Sequence, residues 1–176
     1  DAGEVVTWGD AGSGGDISVV ADRLAVRIIS ITGNTNAFAA LKNTGEVVSW
    51  GLAVGGGDSR AVADRLAEGV TSITGTTHAF AALKIAGEVV TWGAAERGGD
   101  SSSVADRLAE GVTSITGNQR AFTALKYAGE VITWGCAESG GNSRAVADRL
   151  AAGVASITGN ETAFAALSLG GDTGLA

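Results

Sequence analysis

With 176 residues, 45% of them hydrophobic and 18% charged, the chain can bury a core, and its composition excludes wholesale disorder. A net charge of −7 argues against nucleic acid, because phosphate binding needs clustered Lys and Arg and the 12 basic residues are scattered. No apolar run approaches the roughly 18 residues of a membrane-spanning helix, which leaves association with a membrane complex open. Cys136 is the lone cysteine, so no internal disulfide can form, and with no proline the turns fall to Gly, Asn, Asp and Ser.

From the first residues onward the chain repeats. Trp8, Trp50, Trp92 and Trp134 are evenly spaced, and Phe38, Phe80, Phe122 and Phe164 keep the same interval of 42 residues. A period of this size marks one supersecondary unit used four times. The copies run over about 3–44, 45–86, 87–128 and 129–170 of a single repeat domain, 1–176. The opening segment from Gly3 to Trp8 reads as a strand, with β-branched residues and an indole between glycines. The second copy shows the whole unit: GEVVSWG from Gly45, a variable Gly-rich stretch to Asp58, then SRAVADRLAEG, VTSITG, TTH and AFAALK to Lys84. Asp58 can cap a short helix from Ser59 to Glu68, with Val62 and Leu66 on one face and Gly69 as its stop. VTSITG alternates as a strand. AFAALK is alanine-rich, yet six residues between turn signals fit a strand better than a helix. Two or three residues containing Gly join it to the next GEVVTWG, the length of a tight hairpin.

The fold class expected is mainly β with short helices: a four-repeat, β-propeller-like ring of about three strands and one short helix per repeat. The chain opens on the last strand of a unit and ends on Ala163–Leu167, the strand that should precede it. A fifth GEVVTWG would begin at Gly171, where the sequence departs from the motif. Pairing of the N- and C-terminal strands would close the ring and remove two sheet edges.

The motif G-x-x-x-AF-AALK-x-x-GEVV-x-WG resembles the repeat of the regulator of chromosome condensation family. Ile73–Gly75, Ala79–Leu83, Gly87–Val90 and Trp92–Gly93 carry the resemblance, with equivalents in every copy. It implies a β-propeller, commonly of seven blades, that works by binding proteins. The family includes a nucleotide-exchange factor and a secreted β-lactamase inhibitor with short blades, and similar arrays occur in algal protists. Four repeats instead of seven, and a more regular ADRLAEG segment, set this chain apart.

Residues that could carry chemistry are few. Asp22-Arg23, Asp64-Arg65, Asp106-Arg107 and Asp148-Arg149 recur as pairs and are read as structural ion pairs or caps between a helix and its neighbouring unit. Glu4, Glu46, Glu88 and Glu130 recur beside hairpin turns, where a solvated charge is ordinary. The Gly-Asp motifs at Asp16, Asp58 and Asp100, with Asn142 in the fourth copy, each offer one carboxylate, whereas calcium needs six or more oxygens. The tryptophans and phenylalanines are assigned to the core. No catalytic, cofactor-binding or metal-binding residue is assigned.

What remains are the positions where the copies differ. The hairpin turns carry Asn43, Ile85, Tyr127 and Leu169, three of them apolar where turns are normally polar. Exposed, they would form an interaction patch on one rim; tucked under the adjacent segment, they would not. His78 and Arg120 lie in a second variable set, the loops at 34–36, 76–78, 118–120 and 160–162. These positions suggest a non-enzymatic protein-binding repeat module, a scaffold or linker subunit of a larger assembly. The alternative is a lectin-like or metal-binding module using axial loops.

Overall fold

The computed structural model describes residues 4–169. It is mainly β. Three sheets have three strands each: β1 (Ile28–Gly33), β2 (Ala37–Lys42) and β3 (Val47–Gly51); β4 (Val70–Gly75), β5 (Ala79–Lys84) and β6 (Val89–Gly93); β7 (Val112–Gly117), β8 (Ala121–Lys126) and β9 (Val131–Gly135). A fourth sheet pairs β10 (Val154–Gly159) with β11 (Phe164–Ser168). All ladders are antiparallel, and the register repeats from sheet to sheet: Phe38 opposes Trp50, Phe80 opposes Trp92, and Phe122 opposes Trp134. The first strands β1, β4, β7 and β10 lie successively side by side. The sheets therefore follow one another as blades in a propeller-like arrangement, with each first strand innermost.

Blade contacts explain why an alanine-rich segment is a strand. Ala37 and Ala39 of the first sheet are fully buried and receive Phe80 and Trp92 of the second, together with Leu66, Val70, Ala82 and Val90. The same cluster recurs one repeat later around Phe122, Ile132 and Trp134, resting on Ala79 and Ala81. Small side chains on one face are what let the next sheet's stacked ring pair approach closely, so packing overrides the helical preference of alanine. Each buried indole N–H donates to a carbonyl of the preceding copy: Trp50 to Gly14, Trp92 to Gly56 and Trp134 to Gly98, at 2.9–3.0 Å. Gly56 has φ +98°, and a Cβ there would sit 2.7 Å from the Phe80 ring, so this turn needs glycine both for its backbone and for its space.

Three expectations need correction. The segment after Asp58 is a 3-10 helix over Arg60–Leu66, recurring at Ser102–Leu108 and Arg144–Leu150, the last interrupted by non-helical Val146; only the first copy has an α-helical turn, α1 (Ala21–Leu24). The reason lies at its start. Asp58 Oδ1 accepts from the Arg60 N–H two residues on, which closes a turn at the residues the helix would need for its first α-turn. Leu66 alone is buried within the segment, too little to hold a longer helix.

The second correction concerns the ends. Glu4–Trp8 belong to no ladder, and among the described residues no backbone hydrogen bond joins the fourth sheet to the first. The third follows from it. Trp8 is 85% exposed, not core, because no phenylalanine opposes it among the described residues. Phe164, on an open-edged sheet, is only half-buried. Gly171–Ala176, where the repeat is expected to stop, lie outside the described residues.

Candidate protein-binding rim

The hairpins joining β2 to β3, β5 to β6 and β8 to β9 turn at Asn43, Ile85 and Tyr127, and Leu169 follows β11 at the equivalent position. Each turn is anchored through its backbone. Asn43 N–H donates to the Arg27 carbonyl, Ile85 N–H to Gly69 and Tyr127 N–H to Gly111. The backbone is fixed while the side chains point away from the core: Ile85 and Tyr127 are each 82% exposed and Leu169 72%. The structure thus decides between the two readings left open by the sequence. The turn side chains project outward and are not tucked under the adjacent segment. The one deviation is the Tyr127 ring, whose edge grazes the Gly111 backbone.

Below each turn lies a charged clamp. Arg23 pairs with Glu46 at 2.9 Å, Arg65 with Glu88 at 2.7 Å and Arg107 with Glu130 at 2.7 Å, and each guanidinium also donates to the next backbone carbonyl, on Val47, Val89 and Val131. Lys84 and Lys126 tie in by donating to the carbonyls of Arg65 and Arg107. The predicted ion pairs are therefore reassigned. The arginines do make structural pairs, but with the hairpin glutamate 23 residues on. Asp22, Asp64, Asp106 and Asp148 are exposed and make no ion pair among the described residues, as is also true of Arg149. Adjacent side chains on a short helical turn point in different directions, so Asp and Arg cannot both reach the hairpin. At Glu46, partial burial pushes the carboxyl up, but hydrogen bonds from Lys42 and Arg23 outweigh it and hold the group below its ordinary range. The clamps are half-exposed and stiffen the rim more than they stabilise the fold.

His78 and Arg120 are not part of this rim. They lie in the β4–β5 and β7–β8 turns, at the opposite end of six-residue strands, roughly 20 Å away by strand rise. Both are half-buried, and their Nδ1 and Nε atoms are enclosed without a partner. The loops around them serve the fold. Thr35 N–H donates to the Thr77 carbonyl, Thr77 to Gln119 and Gln119 to Glu161, a belt of blade-to-blade bonds. Asn34 and Asn118 each hold their own turn through Oδ1 and reach Gly55 and Ser139 of the following loop through Nδ2. The two variable sets thus mark separate ends of the molecule.

The Gly-Asp motifs also have local partners. Asp16 and Asp100 are held below the ordinary carboxylate range by the N–H groups of Ser18 and Ser102, and Asp58 falls to about 2 under hydrogen bonds from the Arg60 side chain and then its backbone N–H. Asn142 makes the same turn in the fourth copy. Among the described residues no three His, Cys, Asp or Glu side chains group as metal ligands, and no helix is long and apolar enough to cross a membrane. A group whose folded pKa is depressed contributes stability above its ordinary pKa and loses it as pH falls through the folded value. Asp58 should therefore cost stability between about pH 4 and pH 2. Asp58→Asn, copying Asn142, should remove that part of the acid profile while keeping the turn. In thermal melts across this window the difference should be no more than about 2 °C, because the pair is solvent-screened.

No family model and no curated protein matches the chain. Solved structures similar to it include Prp20p from Saccharomyces cerevisiae, at 15% identity and a TM-score of 0.49 over 82% of this chain and 37% of that one. Yeast RCC1 (Prp20) bound to Kap60 matches at 17% identity and 0.43, over 61% and 29% respectively. The CRINKLY WD40 ectodomain of the Arabidopsis thaliana receptor kinase ACR4 matches at 16% and 0.42, over 61% and 38%. The chain thus spans well under half the length of each of these proteins. The propeller-like architecture rests on the sheet order and blade contacts of the chain itself.

Proposed function

We propose that this chain is a non-enzymatic protein-binding module, a scaffold or linker subunit of a larger assembly, and that it engages its partner through the hairpin-turn rim. The observation that carries this reading is the exposure of Ile85, Tyr127 and Leu169 at equivalent positions on three successive sheets. Turns normally present polar residues, and exposed aromatic and aliphatic side chains on a rigid backbone lose little entropy when covered. The three positions are also chemically different while the scaffold beneath them repeats, as expected of a surface that reads one partner.

The test is the double variant Ile85→Asp, Tyr127→Asp. Both side chains are exposed, so the melting temperature should stay within about 2 °C of the parent. Affinity for a partner isolated from the native assembly should fall by at least about tenfold, in line with loss of an aromatic anchor. Unchanged affinity in the folded variant would remove the rim from the interface.

A further inference from the structure

Beside β11 lies a groove of about 370 Å³, lined among others by Thr123, Val131, Leu150, Ile157, Phe164 and Ala166. One repeat earlier the equivalent residues are Ala81, Val89, Leu108, Ile115, Phe122 and Ala124, and they enclose Ile132 and Trp134. Two repeats earlier the corresponding set encloses Val90 and Trp92. The groove is therefore shaped for a β-branched residue and a tryptophan two positions apart, on a strand antiparallel to β11. Two further contacts made by the inner copies are open here among the described residues. The Gly140 carbonyl, counterpart of Gly98, accepts no indole N–H, and Arg149, counterpart of Arg107, has no glutamate.

The segment with the required sequence is Glu4–Trp8. One of its faces is already seated on the first sheet: Val5 packs against the Leu24, Val48 and Trp50 cluster, and Thr7 Oγ1 donates to the Gly15 carbonyl at 2.9 Å, as Thr133 does to Gly141. The other face presents Val6, 68% exposed, and Trp8. These are the copies of the residues that fill the two inner interfaces. We infer that Glu4–Trp8 of a second copy of this chain completes the fourth sheet, with Val6 opposite Ala166, Trp8 opposite Phe164, the indole donating to the Gly140 carbonyl and Glu4 meeting Arg149. A second copy is favoured over the chain's own segment by the blade geometry. Three like steps carry the belt from Thr35 to Glu161, and no fourth step returns to Thr35. The contact is heterologous, so two such junctions would join four sheets from each copy into one ring of eight.

Two single-cysteine chains in a Cys136→Ser background test this, one carrying Thr7→Cys and the other Ala165→Cys, positions directly opposed in the inferred register. Mixed and oxidised, they should give a disulfide-linked dimer that neither gives alone, and Trp8→Asp in the first chain should abolish it. Trp8 is exposed within one copy, so that variant should keep the parent's melting profile at low concentration, and sedimentation should show it as a monomer where the parent is a dimer. If the mixture fails to cross-link while a chain carrying both cysteines links within itself, the chain's own segment fills the groove and the inference falls. Failure of both pairs to cross-link would also overturn it.

Discussion

Phe80→Ala should lower stability by about 3–5 kcal/mol, near the upper limit for a single core truncation. Phe80 is fully buried and stacks on Trp92 with ring centroids 5.4 Å apart. It also lies on the Gly56 backbone and against the alanine face of the preceding sheet. Alanines have no side-chain freedom with which to fill the space left behind, so the cavity would persist. The same substitution at Phe164 gives the contrast. That ring is half-buried and has no stacked partner among the described residues, so about 1–2 kcal/mol is expected, in proportion to the area it hides. Urea unfolding followed by both circular dichroism and tryptophan fluorescence measures the difference and shows whether the array unfolds in one step. Equal losses at the two positions would mean that the blade interfaces are not where the stability lies.

The second large effect is expected at Gly57. A Cβ there would lie 2.3 Å from the Gly51 carbonyl oxygen and 2.5 Å from its carbon, and both atoms belong to backbone that cannot swing aside. Gly57→Ala should therefore force open the turn that follows the Trp-Gly strand end. This turn also presents the Gly56 carbonyl to the Trp92 indole, so the strain would be transmitted into the core. A loss of about 3 kcal/mol is expected, at the top of the usual range for inserting a methyl group into a packed site. Gly153→Ala is the control. A Cβ at Gly153 meets nothing within 4 Å, and only its φ of +75° is unfavourable, so about 1–2 kcal/mol should be lost. If Gly57→Ala costs no more than Gly153→Ala, the turn relaxes more freely than its contacts imply.

Much of the blade was legible in the sequence because its signals are local and repeated. VTSITG and AFAALK match β4 and β5 at both bounds, and β6 begins at Val89 within GEVVTWG. The 42-residue interval of Trp and Phe anticipated that the two rings share one core, although not that they lie opposite each other on neighbouring strands. What the sequence missed depends on neighbours in space. Arg65 and Glu88 both recur, but so does Asp64, and nothing in spacing alone says that arginine reaches 23 residues forward instead of one back. Trp8 carries the same motif as Trp92, yet its burial depends on a partner strand that the described residues do not provide. The helix was overread because Asp58 and Gly69 bracket it convincingly, while the hydrogen bond from Arg60 that closes the turn cannot be seen in a one-dimensional pattern. At the candidate rim, the turn residues were identifiable by their chemistry. Their separation from His78 and Arg120 became visible only once the strands between them were placed.

Placing a photo-activatable amino acid in turn at Ile85, Tyr127, Leu169, His78 and Arg120, in otherwise unchanged chains assembled with the native complex, tests the central claim most directly. The account predicts covalent adducts to one and the same partner from Ile85, Tyr127 and Leu169, and none to that partner from His78 or Arg120. Adducts confined to His78 and Arg120, or formed equally from both ends of the blades, would contradict it.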